Sequence, residues 1–178
     1  MLLTVSGPPG SGKSTVAEGI AVRLGLEYIS GGTVFRKIAE DRGISVGELN
    51  KVAEDDDSID RELDENIKQI ALVKDNAVIE SRLAGWMAGE NADIRIWLDA
   101  PISIRGQRIA NREDGEIDQI LKETKEREAS EKHRYDEYYD IDFSDLSIYD
   151  LVVDTSEEDA NEVVERIMRF IEVFGDEA

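Results

Sequence analysis

The sequence predicts an α/β fold in which a mostly parallel, five-stranded sheet is covered by helices on both faces. Two observations support this. Five short runs rich in Val, Ile and Leu are bounded by turn or polar residues, and longer segments with helical spacing separate them. Such alternation is typical of parallel sheets. The 178 residues suit one domain, since neither an internal repeat nor a low-complexity linker divides them.

The five predicted strands are spread along the whole chain. They are MLLTV (1–5), LEYIS (26–30), NAVIE (76–80), IRIWLDA (94–100) and YDLVVDTS (149–156). Two connections, 33–75 and 109–147, are polar and longer than a helical crossover requires. We expect a core of about 1–32, 76–108 and 148–178, with mobile, substrate-covering helical insertions in the two long connections.

The net charge of −20 restricts the partners of the protein. It comes from 41 acidic and 21 basic residues, and because residues 1–35 are neutral, the entire excess lies beyond them. Most of this surface would repel a polyanion such as DNA, so nucleic-acid polymers are not expected partners. The acidic excess fits a plain solvated surface and equally an adaptation to high salt, given only eight lysines.

Cysteine usage and the N-terminal segment bear on the compartment. The chain has no cysteine, which excludes disulfides and thiolate metal sites and fits a reducing compartment. MLLTVSG lacks the basic flank and long apolar region of a secretory signal, and no run approaches the roughly 18 apolar residues of a membrane span. We therefore expect a cytoplasmic protein without a membrane partner.

Residues 7–14 match the phosphate-binding pattern G-x-x-x-x-G-K-[ST] between a predicted strand and a predicted helix. Glycines let the backbone wrap around an anion with its N–H groups turned inward, and the following helix adds its positive end. Lys13 is expected to reach the β- and γ-phosphates of a nucleotide, and Ser14 to ligate Mg²⁺. The sequence thus predicts a P-loop NTPase-type three-layer sandwich. The expected loop residues are Gly7, Pro8, Pro9, Gly10, Ser11, Gly12, Lys13, Ser14 and Thr15.

The second predicted strand leads into SGGTVFRK, which suits the binding of a second phosphate. We expect an open turn at 30–32, a helix N-cap at Thr33, and Arg36 on the first turn of that helix. A guanidinium there can hold a phosphate through two parallel hydrogen bonds. The alternative is a solvated Arg36 paired with Glu40 at i+4.

The third predicted strand ends in VIESRLAGW and places polar residues at the carboxyl edge of the sheet, where open α/β sheets bind ligands. Because Arg82 directly follows a buried strand, we expect it to contact a bound anion rather than the core. Glu80 suits either the water shell of Mg²⁺ or an ion pair with a nearby arginine. Trp86 and Met87 suit packing better than base stacking.

The second long connection carries a charged helical stripe. In ETKEREASEKHRYDEYY, Arg127, Glu131 and Arg134 lie at i, i+4 and i+7 and share one face. Two arginines flanking a carboxylate suit a face that closes over phosphates and accepts a base amino group. A solvent-exposed ladder of ion pairs is the other interpretation. His133 lies off the stripe and is expected at the surface.

Five segments together resemble the cytidylate kinase family, in particular its short archaeal form, and cover nearly the whole chain. They are residues 5–40, VIESRLAGW, IWLDAP, ETKEREASEKHR and YDLVVDTS. The most informative feature is the joint occurrence of S-G-G-x-x-F-R, the strand-end E-S-R and the R-x-x-x-E-x-x-R stripe, since a P-loop alone fits many enzymes. The resemblance implies transfer of a phosphoryl group from ATP, with Mg²⁺, to CMP and also dCMP, giving CDP or dCDP and ADP.

The resemblance also implies residue roles. The loop from Gly7 to Thr15 would hold ATP. Arg108, which shares a helical face with Arg112, would lie against the adenine, with Arg105 as the alternative because the register of that helix is open. Lys13, Arg127 and Arg134 would be catalytic, and Glu131 would lie near the cytosine. The implied acceptor residues are Ser30, Gly31, Arg36, Arg82, Arg127, Glu131 and Arg134.

The chain departs from the bacterial pattern of the family at Ser81 and Leu83, which replace a glycine and an aspartate, and it lacks a long extra acceptor insertion. Base selection therefore stays open. An AMP or UMP kinase shares nearly every feature, and a P-loop kinase of a non-nucleotide metabolite, such as a shikimate-type enzyme, is a further alternative. A non-catalytic switch has less reason to carry a second phosphate site. We expect a monomer.

Overall fold

The computed structural model describes residues 1–177 and confirms the predicted five-stranded parallel sheet. Apart from Ser6, every strand residue falls inside the apolar run that predicted it. The strand order is β2-β3-β1-β4-β5, with all neighbours parallel. The strands are β1 (Leu2–Ser6), β2 (Glu27–Ser30), β3 (Ala77–Glu80), β4 (Ile94–Asp99) and β5 (Leu151–Asp154).

Helices fill the connections between the strands and follow the last one. They are α1 (Lys13–Leu24), α2 (Gly31–Arg42), α3 (Val46–Asp55), α4 (Ser58–Val73), α5 (Ala84–Ala88), α6 (Ile102–Glu113), α7 (Ile117–Tyr139) and α8 (Ala160–Glu177), with a short 3-10 turn at Gly89–Asn91. None of these helices, within residues 1–177, is long and apolar enough to cross a bilayer.

The sheet separates two apolar cores, as the alternation of side chains along a strand requires. Leu3 and Val5 of β1 face one core with α1 and α8, whereas Leu2 faces the other with α2, α3, α4 and α5. The first core includes Ala17, Ile20, Val163 and Ile167. The second includes Ile38, Leu49, Ile59 and Ile67. The charged connection 33–75 therefore contributes buried side chains to a core, which its composition did not reveal.

Strand register brings the polar strand ends together. Val5 of β1 is the register partner of Glu80 of β3, and Glu80 is also the partner of Ser30 of β2. The loop after β1, the start of α2 and the residues after β3 consequently meet at one carboxyl edge. The site described below occupies this edge.

The predicted N-cap at Thr33 is wrong. Helix α2 begins at Gly31, and Ser30 is its N-cap, with the Ser30 Oγ accepting from the Thr33 backbone N–H at 3.1 Å. A Cβ at position 31 would lie 3.2 Å from the Ser81 Cβ, so this glycine serves close packing rather than a turn. Arg36 consequently lies on the second turn of α2.

The stability of the fold should increase with salt. Because a net charge of −20 destabilises the compact state through self-repulsion, screening should stabilise it. Raising NaCl from about 0.1 M to about 1 M shortens the Debye length from roughly 10 Å to roughly 3 Å. We expect the melting temperature to rise by several degrees in circular dichroism. A constant or falling melting temperature would contradict this expectation.

Candidate active site

The loop between β1 and α1 is held in a strained turn that glycine permits. Gly10 and Gly12 have φ angles of 76° and 89°, in the left-handed region. A Cβ on Gly10 would lie 2.6 Å from the Arg105 backbone oxygen. The Thr155 hydroxyl donates to the Ser11 backbone oxygen at 3.0 Å. The loop is thus fixed from outside by α6 and by the end of β5.

One cavity, of about 370 Å³, lies on the outer side of this loop. Residues 10–15, together with Arg108 and Arg112, line it. Arg108 donates to the Thr155 hydroxyl at 2.9 Å and to the Thr155 backbone oxygen at 2.5 Å, which holds its guanidinium at the cavity wall. Arg105 is buried elsewhere, so of these two alternatives Arg108 is the one beside the loop cavity.

The remaining three loop residues lie behind the cavity and use their backbone oxygens. Arg82 donates to the Gly7 oxygen at 3.4 Å, Lys13 to the Pro8 oxygen at 3.4 Å, and Arg105 to the Pro9 oxygen at 3.0 Å. The loop is therefore ringed by cations. This positive environment suits a polyphosphate.

A second cavity, of about 560 Å³, lies on the inner side of the loop. All seven residues expected on the acceptor side line it. They are Ser30, Gly31, Arg36, Arg82, Arg127, Glu131 and Arg134. They come from the junction of β2 and α2, from the residues after β3 and from α7, so three separate parts of the sequence converge here.

Lys13 and Ser14 line both cavities, which makes them the place where the two meet. The Ser14 hydroxyl donates to Glu80 at 3.2 Å, and the Lys13 ammonium lies 3.9 Å from the same carboxylate. Burial of Lys13, reinforced by the nearby Arg82 cation, lowers its pKa to about 7 against the opposing effect of Glu80. An anion placed at this junction would relieve the cost of burying that charge.

The oxygen groups at the junction fit Mg²⁺. The Ser14 hydroxyl and the Glu80 carboxylate lie within hydrogen-bond distance of each other, and Mg²⁺ is bound through one or two such oxygens plus substrate phosphates. Among the described residues, no group of three or more His, Cys, Asp or Glu suits a metal. The remaining ligands would thus be water and phosphate oxygens. The ion pair predicted for Glu80 is present, but its partner is Lys13 rather than an arginine.

Glu131 is a buried carboxylate at the centre of a network of charged side chains. Only 5% of its side chain is exposed; it accepts from the Arg82 Nε at 3.0 Å and from the Arg127 Nε at 2.8 Å. Arg134 reaches across to Asp60 of α4 at 3.2 Å. The stripe on α7 is therefore only partly exposed: its carboxylate is enclosed between Arg82 and Arg127, whereas the Arg127 side chain is 63% exposed.

Arg36 is exposed at the rim of the inner cavity. Its Nη2 donates to the Thr33 hydroxyl at 3.1 Å. Glu40, the alternative partner, lies 3.5 Å from the Lys37 ammonium. The guanidinium of Arg36 is thus held on the cavity side of α2.

Sequence reasoning missed four ionisable residues of the inner cavity, which are Tyr28, Asp60, Asp64 and Tyr135. The available signal was weak. Asp60 and Asp64 lie at i and i+4 on α4, next to the apolar positions of the same helix, where a solvated acid is unexpected. Their partners belong to α7: Arg134 pairs with Asp60, and the Tyr139 hydroxyl donates to Asp64 at 3.1 Å.

Comparison with known proteins identifies the family. A model of the cytidylate kinase-like family matches residues 2–157. This chain belongs to that family. A cytidylate kinase of Natronomonas pharaonis is 60% identical over 88% of this chain and 81% of its own. A cytidylate kinase of Haloarcula marismortui is 53% identical over 99% of this chain and 94% of its own.

Solved structures match the fold of this cytidylate kinase-like protein. An uncharacterised protein of Eubacterium ventriosum superposes with a TM-score of 0.73 at 18% identity, covering 97% of this chain and 98% of its own. The shikimate kinase of Bacteroides thetaiotaomicron gives 0.67 at 14% identity, covering 98% of each chain. At such low identities the likeness shows the fold alone.

The two departures from the bacterial pattern lie in different environments. Ser81 is buried and lines the inner cavity. Leu83 packs with Tyr135 and Ile141 under α7, and Trp86 and Met87 pack against the same cluster. Of the two positions, Ser81 is therefore the one in contact with the cavity. His133, as expected, is at the surface, 3.6 Å from Glu137.

Asp64 should make stability depend on pH. Burial, outweighing the Tyr139 hydrogen bond, raises the pKa of Asp64 from 3.8 to about 7. The native state therefore binds a proton more tightly than the unfolded chain, and its free energy of unfolding falls as pH rises between these values. Asp64→Asn removes this pH dependence, so between about pH 4 and about pH 8 its free energy of unfolding should gain on the order of 4 kcal/mol relative to that of the wild type.

Urea denaturation between about pH 4 and about pH 8 measures this difference. Glu65→Gln, at an exposed neighbour on α4, controls for the loss of one negative charge. A pH-independent difference between Asp64→Asn and the wild type would refute the assignment.

Proposed function

We propose that this protein is an ATP-dependent cytidylate kinase that phosphorylates CMP, and also dCMP, to give CDP or dCDP and ADP. The observation that carries the proposal is the meeting of two cavities at Lys13 and Ser14, one bounded by the P-loop and one by arginines. Membership of the cytidylate kinase-like family and relatives named cytidylate kinase support the choice of acceptor.

The outer cavity suits ATP. The P-loop backbone would hold the phosphates, Lys13 would contact the β- and γ-phosphates, and Arg108 would lie against the adenine. Ser14, with Glu80 behind it, would hold Mg²⁺. When bound, Mg²⁺ would neutralise charge on the β- and γ-phosphates.

The inner cavity suits a nucleoside monophosphate. Five cations line it in a chain whose net charge is −20, so positive charge is concentrated where a phosphate would bind. They are Lys13, Arg36, Arg82, Arg127 and Arg134. We assign the acceptor phosphate to Arg36 and Arg82, which line this cavity together with Ser30 and Gly31. Glu131 would orient Arg82 and Arg127 and bound the base side.

The transfer requires no general base. A CMP phosphate oxygen, already anionic at neutral pH, forms a bond to the γ-phosphorus while the bond to the β,γ-bridging oxygen breaks and leaves ADP. Catalysis therefore reduces to alignment and to neutralising charge on the migrating group. Lys13, Arg127 and Arg134 would supply that neutralisation.

The proposed roles all fall on residues of one chain, so the proposal needs no group from a second chain and fits a monomer.

We propose a functional division of the single domain. Residues of about 1–32, 76–108 and 148–178 would form the core, 33–75 the acceptor-binding segment, and 109–147 a segment that we call the lid. Closure of the lid over both substrates would exclude water and limit wasteful hydrolysis of ATP.

A panel of acceptors assayed with ATP and Mg²⁺ tests the proposal. Coupled detection of ADP should show the highest kcat/KM with CMP, appreciable turnover with dCMP, and lower values with UMP and AMP. Shikimate serves as the non-nucleotide comparison. A preference for AMP, or turnover only with the non-nucleotide acceptor, would contradict the proposal.

Removal of the lid arginines should affect chemistry more than ATP binding. Arg127→Ala or Arg134→Ala should lower kcat by about 10³-fold, because these guanidiniums stabilise charge on the migrating group. The dissociation constant of ATP, measured by calorimetry, should change by less than about threefold. Lys132→Ala, at an exposed position on the same helix, is the matched control. Unchanged kcat in both arginine variants would exclude the lid from the mechanism.

A further inference from the structure

Arg105 of α6 is a buried cation that has no direct place in either cavity. Arg105 is only 6% exposed, and it lines neither the outer cavity nor the inner cavity. Burying a guanidinium is costly unless its hydrogen bonds and its charge are satisfied. The contacts of Arg105 therefore indicate its role in the structure.

Three different parts of the chain satisfy Arg105. Its Nε donates to the Ala100 backbone oxygen at 2.8 Å, at the end of β4, and its Nη1 donates to the Pro9 oxygen of the P-loop at 3.0 Å. Its charge is paired with Glu128 of α7, to which Nη1 and Nη2 both donate, the latter at 3.4 Å. One side chain thus links the strand end, the nucleotide loop and the lid helix.

The packing of α6 against α7 makes this contact possible. Gly106 faces α7, and a Cβ there would lie 2.4 Å from the Leu121 side chain, so the missing side chain lets the helices approach closely. Glu128 directly follows Arg127 and precedes Glu131 by three residues. One short stretch of α7 is therefore linked to the P-loop by Glu128, through Arg105, and lines the inner cavity with Arg127 and Glu131.

We infer that Arg105 and Glu128 are positioning residues that tie the lid helix to the P-loop, so that Arg127 is placed over the acceptor cavity when the loop is occupied. The inference rests on the proposed kinase function. If α7 moved away, Arg105 would keep its hydrogen bonds to two backbone oxygens but would lose Glu128 as its counter-charge. Because an unpaired buried charge is costly, the pair favours the arrangement in which α7 stays beside the P-loop. The pair therefore couples the nucleotide side of the site to the acceptor side.

The test uses the whole protein carrying Glu128→Gln, which keeps a hydrogen-bond acceptor but removes the charge. Glu126→Gln removes an exposed carboxylate from the same helix and is the control. We expect Glu128→Gln to lower kcat for CMP phosphorylation by about 10- to 100-fold, because a misplaced Arg127 no longer aligns the reacting groups. The KM for ATP should change by less than about threefold, and ATP hydrolysis without acceptor should rise relative to transfer.

A double-mutant cycle shows whether the two residues act through each other. Arg105→Lys keeps the charge and loses the planar fork that bridges Pro9 and Glu128. The double variant should lose no more kcat than the more impaired single variant, because both changes break one contact. All assays are run at a temperature at which circular dichroism shows every variant folded, so a loss of stability does not imitate a loss of positioning.

A second readout is independent of the acceptor. Trypsin should cleave α7 of the wild type more slowly when the non-hydrolysable ATP analogue AMP-PNP is present, and Glu128→Gln should lose this protection. Equal protection in the two proteins, or a kcat of Glu128→Gln within about twofold of the wild type in active enzyme, would overturn the inference. Failure of the wild type to phosphorylate CMP would instead overturn the proposed function, while the protection assay would still decide the role of the pair.

Discussion

The site depends on the parallel pairing of β1 with β3 at the centre of the sheet. Because Val5 is the register partner of Glu80, the loop after β1 and the residues after β3 emerge side by side at one edge. The P-loop thereby acquires a carboxylate that contacts Lys13 and Ser14, and Arg82 reaches the Gly7 oxygen. Parallel strands place all their carboxyl ends on the same edge, so this pairing determines where the two cavities meet.

Positive charge is concentrated around that edge of the sheet. The chain is strongly acidic, yet five cations line the inner cavity and two more arginines line the outer one. Such a cluster would repel itself without counter-charges, and the structure supplies them. Glu80 faces Lys13, Glu131 lies between Arg82 and Arg127, and Asp60 pairs with Arg134. Phosphates entering the cavities would compete with these carboxylates, which links substrate binding to rearrangement of the network.

Helix α7 joins the two halves of the site. Its Glu128 pairs with the buried Arg105, which contacts the P-loop, and its Arg127, Glu131 and Arg134 line the inner cavity. In the proposed function, a helix placed in this way can couple the binding of the two substrates through its own position, without a separate signalling element. The close approach of α6 and α7 at Gly106 makes this position specific.

Sequence alone determined the layout of the protein. Apolar runs predicted the strands, because buried parallel strands need little besides hydrophobicity, and the P-loop pattern located the nucleotide loop, since its glycines have a local conformational cause. Only the tertiary structure decided the partners. That Glu80 pairs with a lysine and that Asp60 and Asp64 enter the inner cavity both depend on contacts between distant segments. Local pattern carries no record of such contacts, because a buried charge is stabilised by whichever group the fold brings beside it.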